Sequence, residues 1–404
     1  MGEGPRIGYL VPQFPAQTHA FFWREVRALE AMGAAVALLS TRPPPPGLVA
    51  HEWSAEAARR TTYLMSRSPR DALRALPALP WREMRGAEPG LWRDLLLALP
   101  AAARLCETAG REGIGHVHVH SCGRAALVAA LAERLGGPSY SLTLHGPLSD
   151  YGPGQTLKWR GARFATIITR RLLAEVKTVL REDRPARLVV QPMGVDVARF
   201  RRARPYVPWT PGSGPLQLLC CARLNPAKGH EILIEAVRRL RAEGLDLRLL
   251  VLGEDDDGGG GYRAAIEAAV ARAGLEEVVA LPGAADEGAV VAALHRAHLF
   301  ALASHHEPLG VAFMEAMAAG VPVIGTAAGG VRELVTHGVD GILVPPRDPA
   351  ALACAIRDLA LRPARAIELS MAGLSRVEEA FDSRRGAETL LREMGLIPAR
   401  PAGD

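Results

Sequence analysis

Aromatic residues are scarce in this 404-residue chain, at 5%, and its lysines are limited to Lys158, Lys177 and Lys228. Cysteine is also sparse. Cys106, Cys122, Cys220, Cys221 and Cys354 form an odd, scattered set without metal-ligand spacing, so they read as buried thiols of a reducing compartment. No apolar run reaches the roughly 18 residues of a spanning helix, and Met1–Pro12 shows no basic segment followed by an apolar one. The expectation is a cytoplasmic protein without a signal peptide. Zinc-finger spacing, a basic zipper and the aromatic-glycine pattern of an RNA-binding strand are all missing, which argues against a nucleic-acid partner. No short period repeats, so a solenoid is excluded.

The remaining composition, 49% apolar and 23% charged, is that of a globular protein, and the length suits two domains. The net charge of +5 hides an asymmetry. Residues 1–205 carry 29 basic against 17 acidic side chains, whereas residues 206–404 carry 19 against 26. The basic half is suited to an anionic substrate or surface.

Short apolar runs alternate with helix-patterned stretches from Arg6–Val11 onward, as in a parallel sheet covered on both faces. Between Glu52 and Leu105 the strand signal gives way to a helical insert with nine arginines and six acids. Trp81, Trp92 and Leu95–Leu97 beside Arg82, Arg85 and Arg93 suit either an ordinary helical layer or a surface resting on anionic lipid. Residues 201–215, rich in proline, read as a linker. The predicted organisation is an N-terminal Rossmann-like domain over 1–200, a second over 216–376, and a C-terminal helix over 377–404 crossing back to the first.

Ligands of such sheets bind where strands end and helices begin. Ser304–Thr326 (SHHEPLGVAFMEAMAAGVPVIGT) follows a predicted strand and opens a helix near Gly310. Backbone N–H groups over Leu309–Val311 would face a phosphate. Glu307, before the helix, and Glu315, past its first turn, are placed for sugar and ribose hydroxyls. In Cys221–Ala236 (CARLNPAKGHEILIEA), Arg223 and Lys228 flank an Asn-Pro turn and suit a diphosphate. Three adjacent aspartates in Gly253–Gly261 read as an acidic loop, not a metal site. His116, His118 and His120 alternate along one strand and read as packing, with His120 at the site edge.

These stretches resemble glycosyltransferase family 4, whose signature of a glutamate, seven residues, a second glutamate and Ala-Met-Ala-x-Gly-x-Pro-Val matches Glu307–Val323. Pro192–Phe200 (PMGVDVARF) matches the family's Asn-Gly-Val-Asp segment, with Met193 in place of the usual Asn. The loop Gln17–Leu29 is similar to that of colanic-acid and exopolysaccharide transferases. The resemblance implies a GT-B fold, two Rossmann-like doubly wound domains facing across a cleft, and retaining, metal-independent glycosyl transfer to a hydroxyl acceptor. The donor would be a UDP- or GDP-type nucleotide sugar, with no other cofactor. It further implies donor contacts at Arg223, Lys228, Pro282, Gly283, Asp286, Glu307, Leu309, Gly310, Val311 and Glu315, and a catalytic-site role for His145 together with Glu307. Gln17, Thr18, His19 and His120 fall to the acceptor. A GT-B sugar-nucleotide epimerase and a noncatalytic nucleotide-sugar-binding protein are the alternative readings.

Overall fold

The computed structural model describes residues 6–16, 18–44, 51–66, 68–85, 88–255 and 261–398. The chain divides into two units, one formed by residues 1–193 with 384–404 and the other by residues 194–383.

Unit 1 is built on seven strands: β1 Arg6–Gln13, β2 Ala35–Arg42, β3 Thr61–Tyr63, β4 His116–Val119, β5 Ser139–Leu144, β6 Phe164–Ile167 and β7 Arg187–Val190. They pair in parallel in the order β3-β2-β1-β4-β5-β6-β7. Parallel pairing requires a crossover between neighbours, and the intervening helices cover the sheet's faces. The strands are therefore nearly continuous apolar runs, as in Ile7–Val11, where Tyr9, Leu10 and Val11 have no exposed surface. Unit 2 has six strands: β8 Leu216–Cys221, β9 Leu247–Leu252, β10 Val279–Gly283, β11 Leu299–Leu302, β12 Val323–Thr326 and β13 Ile342–Val344. Their order is β10-β9-β8-β11-β12-β13, again parallel. In each sheet the strand order reverses once, at β1/β4 and at β8/β11, and these reversals open the crevices in which doubly wound sheets bind ligands.

The organisation departs from the sequence reading at four places. The 52–105 segment is not wholly helical, because Thr61–Tyr63 adds an edge strand to β2. Residues 201–215 do not form a free linker but pack into unit 2. The Arg202 guanidinium donates to the carbonyls of Ala319, His295, Leu294 and Ala297, and Tyr206 Oη donates to His298 O. The first crossing between units accordingly falls at 193/194. The helix predicted to start at 377 and run over 377–404 is broken at Phe381–Asp382, between Pro363–Ala380 and Ser383–Glu393. At that break Val195 N donates to Phe381 O and Ser383 N to Val195 O, so backbone pairing replaces the helical turn.

Beyond 383 the chain rejoins unit 1. Ala387, Leu390 and Leu391 enter the same cluster as Tyr9, Val26 and Leu29, and Arg187 makes a two-pronged ion pair with Glu393 at 2.7 and 2.6 Å. No helix among the described residues is long and apolar enough to cross a membrane.

Candidate functional site

In unit 2 the residues that follow β8 and β11, the two strands at the reversal, come together. After β8 the chain turns through Asn225, whose side chain caps the short turn Pro226–Lys228 by accepting from Ala227 N at 2.9 Å. Gly229 then starts the next helix at φ +63°, where a Cβ would lie 2.1 Å from Ala303 O, so only glycine allows this close passage. His305 N donates to Ala227 O at 2.8 Å and ties the two loops together.

The result is a short ion pair: Lys228 Nζ stands 2.6 Å from Glu307 Oε2, an oxygen that also accepts from Ser304 Oγ at 3.1 Å. Glu307 is buried. Its backbone carbonyl accepts from Gly330 N at 2.8 Å, which links it to the Gly-Gly loop after β12. Glycine at 310 (φ +106°) opens the helix Val311–Ala318, and Glu315 lies one turn inside it, half-buried. Leu309 is buried at the same corner. Burial, and then the charge of Glu315, push up the thiol of Cys221 at the end of β8, so the glutamate lies near that strand end. Arg223 is exposed on the loop that carries Lys228.

Beside this corner, Gly253 N donates to Gly283 O at 2.9 Å, and Arg263 binds Glu254 at 2.7 Å while donating to Leu281 O. Pro282 and Gly283 are thus held at the end of β10. Asp286 is occupied elsewhere, since its Oδ1 accepts from Ala289 N at 2.7 Å and caps the helix Glu287–Arg296. Of the acidic loop 253–261, residues 256–260 lie outside the described residues.

In unit 1 the reversal lies between β1 and β4, and the histidines follow β4 and β5. His116 and His118 are consumed by a ladder of hydroxyls. His116 contacts Ser139 and Ser141 at 2.9 and 2.8 Å, and His118 contacts Ser141 and Thr143, each at 2.7 Å. No group of three or more metal-ligating side chains exists among the described residues. His120 and His145 differ. His120 Nδ1 meets His145 Nε2 at 3.3 Å, and the far side of His120 lies 3.1 Å from Glu25 Oε2. Glu25 also accepts from the Tyr9 hydroxyl at 2.7 Å. Burial pushes both histidines down to about 3, and it pushes the Glu25 carboxyl up. His19 packs its ring edge-on against Phe22, 5.0 Å away, in the same cluster. Thr18 is exposed just before it, and Gln17 lies outside the described residues.

Sequence reasoning overlooked Tyr9 and Glu25 as members of this cluster. Glu25 enters the sequence reading only as part of the loop match over Gln17–Leu29, and only the fold sets it against the end of β4.

Residues 209–373 match the family model described as "Glycosyl transferases group 1". Over 381 residues the chain is 26% identical to the colanic acid biosynthesis glycosyltransferase WcaL of Salmonella typhimurium, covering 87% of this chain and 90% of that protein. It is 34% identical over 188 residues to the amylovoran biosynthesis glycosyltransferase AmsK of Erwinia amylovora, covering 44% and 45%. Among solved structures, that of Anabaena Alr3699/HepE in complex with UDP shares the fold, with a TM-score of 0.74 at 18% identity over 97% of this chain and 100% of that one.

Proposed function

Because residues 209–373 form a glycosyl transferases group 1 domain in a GT-B glycosyltransferase, we propose that the chain moves a sugar, with retention, from a UDP- or GDP-type donor to a hydroxyl acceptor in polysaccharide assembly. The observation that carries this reading is the Lys228–Glu307 pair at the β8/β11 crevice, 2.6 Å long and walled by glycine-permitted turns. An isolated, buried ion pair contributes little net stability. A cation and an anion held at a crevice mouth instead suit a ligand that carries both a diphosphate and sugar hydroxyls.

In this reading Arg223 and Lys228 bind the diphosphate, and their charge stabilises it as the anomeric C–O bond to phosphate breaks. Glu307 then accepts hydrogen bonds from the donor sugar, and Glu315 from the ribose. Pro282 and Gly283 lie beside the base, while the backbone over Leu309–Val311 faces phosphate. The acceptor oxygen forms the new C–O bond, and its proton goes to a leaving-phosphate oxygen, so no protein nucleophile takes part. Asp286 serves as a helix cap that shapes the base side of the site. His145 contacts the transferred sugar, and Thr18, His19 and His120 serve the acceptor side. The relatives named for colanic acid and amylovoran biosynthesis support an exopolysaccharide-type acceptor.

The test is to incubate the purified full chain with UDP-, GDP- and ADP-sugars and to follow nucleoside diphosphate release with and without hydroxyl acceptors. Acceptor-dependent release from at least one donor is expected. Binding without release would indicate a sensor, and epimer formation from donor alone would indicate an epimerase.

Peripheral contact with anionic lipid is part of the same proposal. Leu73, Trp81, Leu96 and Leu97 are each more than half exposed, and Arg70, Arg74, Arg82, Arg85 and Arg93 are exposed along the same stretch of two helices and the turn between them. The stretch fits anionic headgroups through charge and acyl tails through its apolar side chains. The chain should co-sediment with phosphatidylglycerol vesicles and not with phosphatidylcholine vesicles. Trp81→Ala combined with Arg82→Ala and Arg85→Ala should lose that binding.

A further inference from the structure

The contacts around His145 form a directional chain. Tyr9 Oη donates to Glu25 Oε2 at 2.7 Å, His120 Nε2 stands 3.1 Å from that same oxygen, and His120 Nδ1 stands 3.3 Å from His145 Nε2. Beyond it, His145 Nδ1 lies 3.1 Å from Met193 Sδ. The four side chains come from β1, the helix Ala20–Ala31, the end of β4 and the end of β5, which converge at the strand reversal. His120 is boxed in by the Tyr9 ring at 4.3 Å, His118 at 4.6 Å and Phe22 at 4.9 Å, so its ring has little freedom to turn.

A neutral imidazole carries one N–H, and its neighbours decide which nitrogen holds it. At His120 the two sides are unequal. Nε2 is buried against a carboxylate oxygen and has no well-aligned partner among the described residues, yet a lone pair there would oppose the carboxylate's charge. The proton therefore sits on Nε2, which makes Nδ1 a bare acceptor. That acceptor selects the Nε2–H form of His145 over the Nδ1–H form, whose gain would be a weak N–H···S bond to Met193 Sδ, an acceptor with no proton to give.

We propose that Glu25, acting through His120, is a positioning residue that holds His145 in the Nε2–H tautomer, so that Nδ1 is presented as a hydrogen-bond acceptor to a substrate hydroxyl. This rests on the transferase reading for the identity of the hydroxyl, but not for the tautomer itself. The groups facing the cluster are Tyr9 from β1, His19 and Glu25 from the first helix and its approach, His118 and His120 from β4, and Met193. Gly386 of the returning helix packs on Glu25, where a Cβ would lie 2.7 Å from Oε1. Burial keeps His118, His120 and His145 neutral, which leaves the Glu25 carboxylate as the charge beside them.

Long-range ¹H–¹⁵N NMR on the full chain reads the tautomers directly and needs no turnover. For the unsubstituted protein at pH 7, the Nε2–H pattern is expected at both His120 and His145. In Glu25→Gln the amide N–H₂ can donate toward His120 Nε2, which reverses the chain and moves His145 to the Nδ1–H form. Where a donor and acceptor are known, turnover should fall about 10–100-fold, as for other carboxylates that orient a histidine, with donor KM changing less than kcat. His120→Gln is the second variant, for use if Glu25→Gln does not fold, and it should release His145 to a mixture of tautomers. An Nδ1–H His145 in the unsubstituted protein, or an unchanged His145 pattern in a folded variant, would overturn the assignment. A protein with the expected tautomers that turns over no nucleotide sugar would instead overturn the transferase reading and leave this one standing.

Discussion

Glu307→Gln should reduce nucleoside diphosphate release at least on the order of 100-fold with every donor the unsubstituted chain uses, while leaving it folded. The replacement keeps an acceptor oxygen for Lys228 Nζ and Ser304 Oγ, now 2.6 and 3.1 Å from the carboxylate, but removes the negative charge that balances the lysine. Losing that balance costs up to about 3–5 kcal/mol, still less than the ~5–15 kcal/mol that holds an ordinary domain together. A lowered Tm with a cooperative transition, together with abolished release, is the expected pair of results. Undiminished release would remove Glu307 from the site.

Gly329→Ala should affect the same corner from the backbone side, and more severely for stability. Gly329 has φ +63°, and a Cβ there would lie 2.1 Å from Glu307 O and 2.9 Å from Glu307 C. The left-handed conformation alone costs an alanine about 1–2 kcal/mol. Relieving the overlap requires Glu307 to move by about 1 Å, a displacement that can cost on the order of 100-fold in rate when it misplaces a catalytic group. Gly338→Ala is the matched control. Its φ of +73° imposes the same conformational cost, but its Cβ would meet only the Arg365 guanidinium, at 4.0 Å. Denaturant titration should show a loss of about 3 kcal/mol or more at 329 against about 1 kcal/mol at 338. Equal effects would mean that the loop yields without disturbing Glu307.

Much of the fold was legible because parallel sheets write themselves as apolar runs between helical stretches, and β1 at Arg6–Gln13 begins where its run Arg6–Val11 does. Harder to see were β6, β7 and β13, of three or four residues, and β3, whose Thr-Thr-Tyr lies in an arginine-rich helical context. The Lys228–Glu307 corner could be anticipated because each partner sits in a dense local motif beside its own strand end. Asp286 reads in the sequence as a donor contact beside the base, and the fold instead uses its side chain to cap the helix Glu287–Arg296. The Tyr9–Glu25–His120–His145 chain carries no local signature, since its successive members lie 16 to 95 positions apart before the sheet assembles them.

The return of residues 384–398 to unit 1 also orders events at the ribosome. When residues 1–193 have emerged, the apolar seat for Leu390 and Leu391 is still open, and it stays open while the whole of unit 2 is translated. The N-terminal half must therefore wait, partly assembled, for a segment made after its neighbour, and Glu25 acquires its Gly386 cover only at that last step.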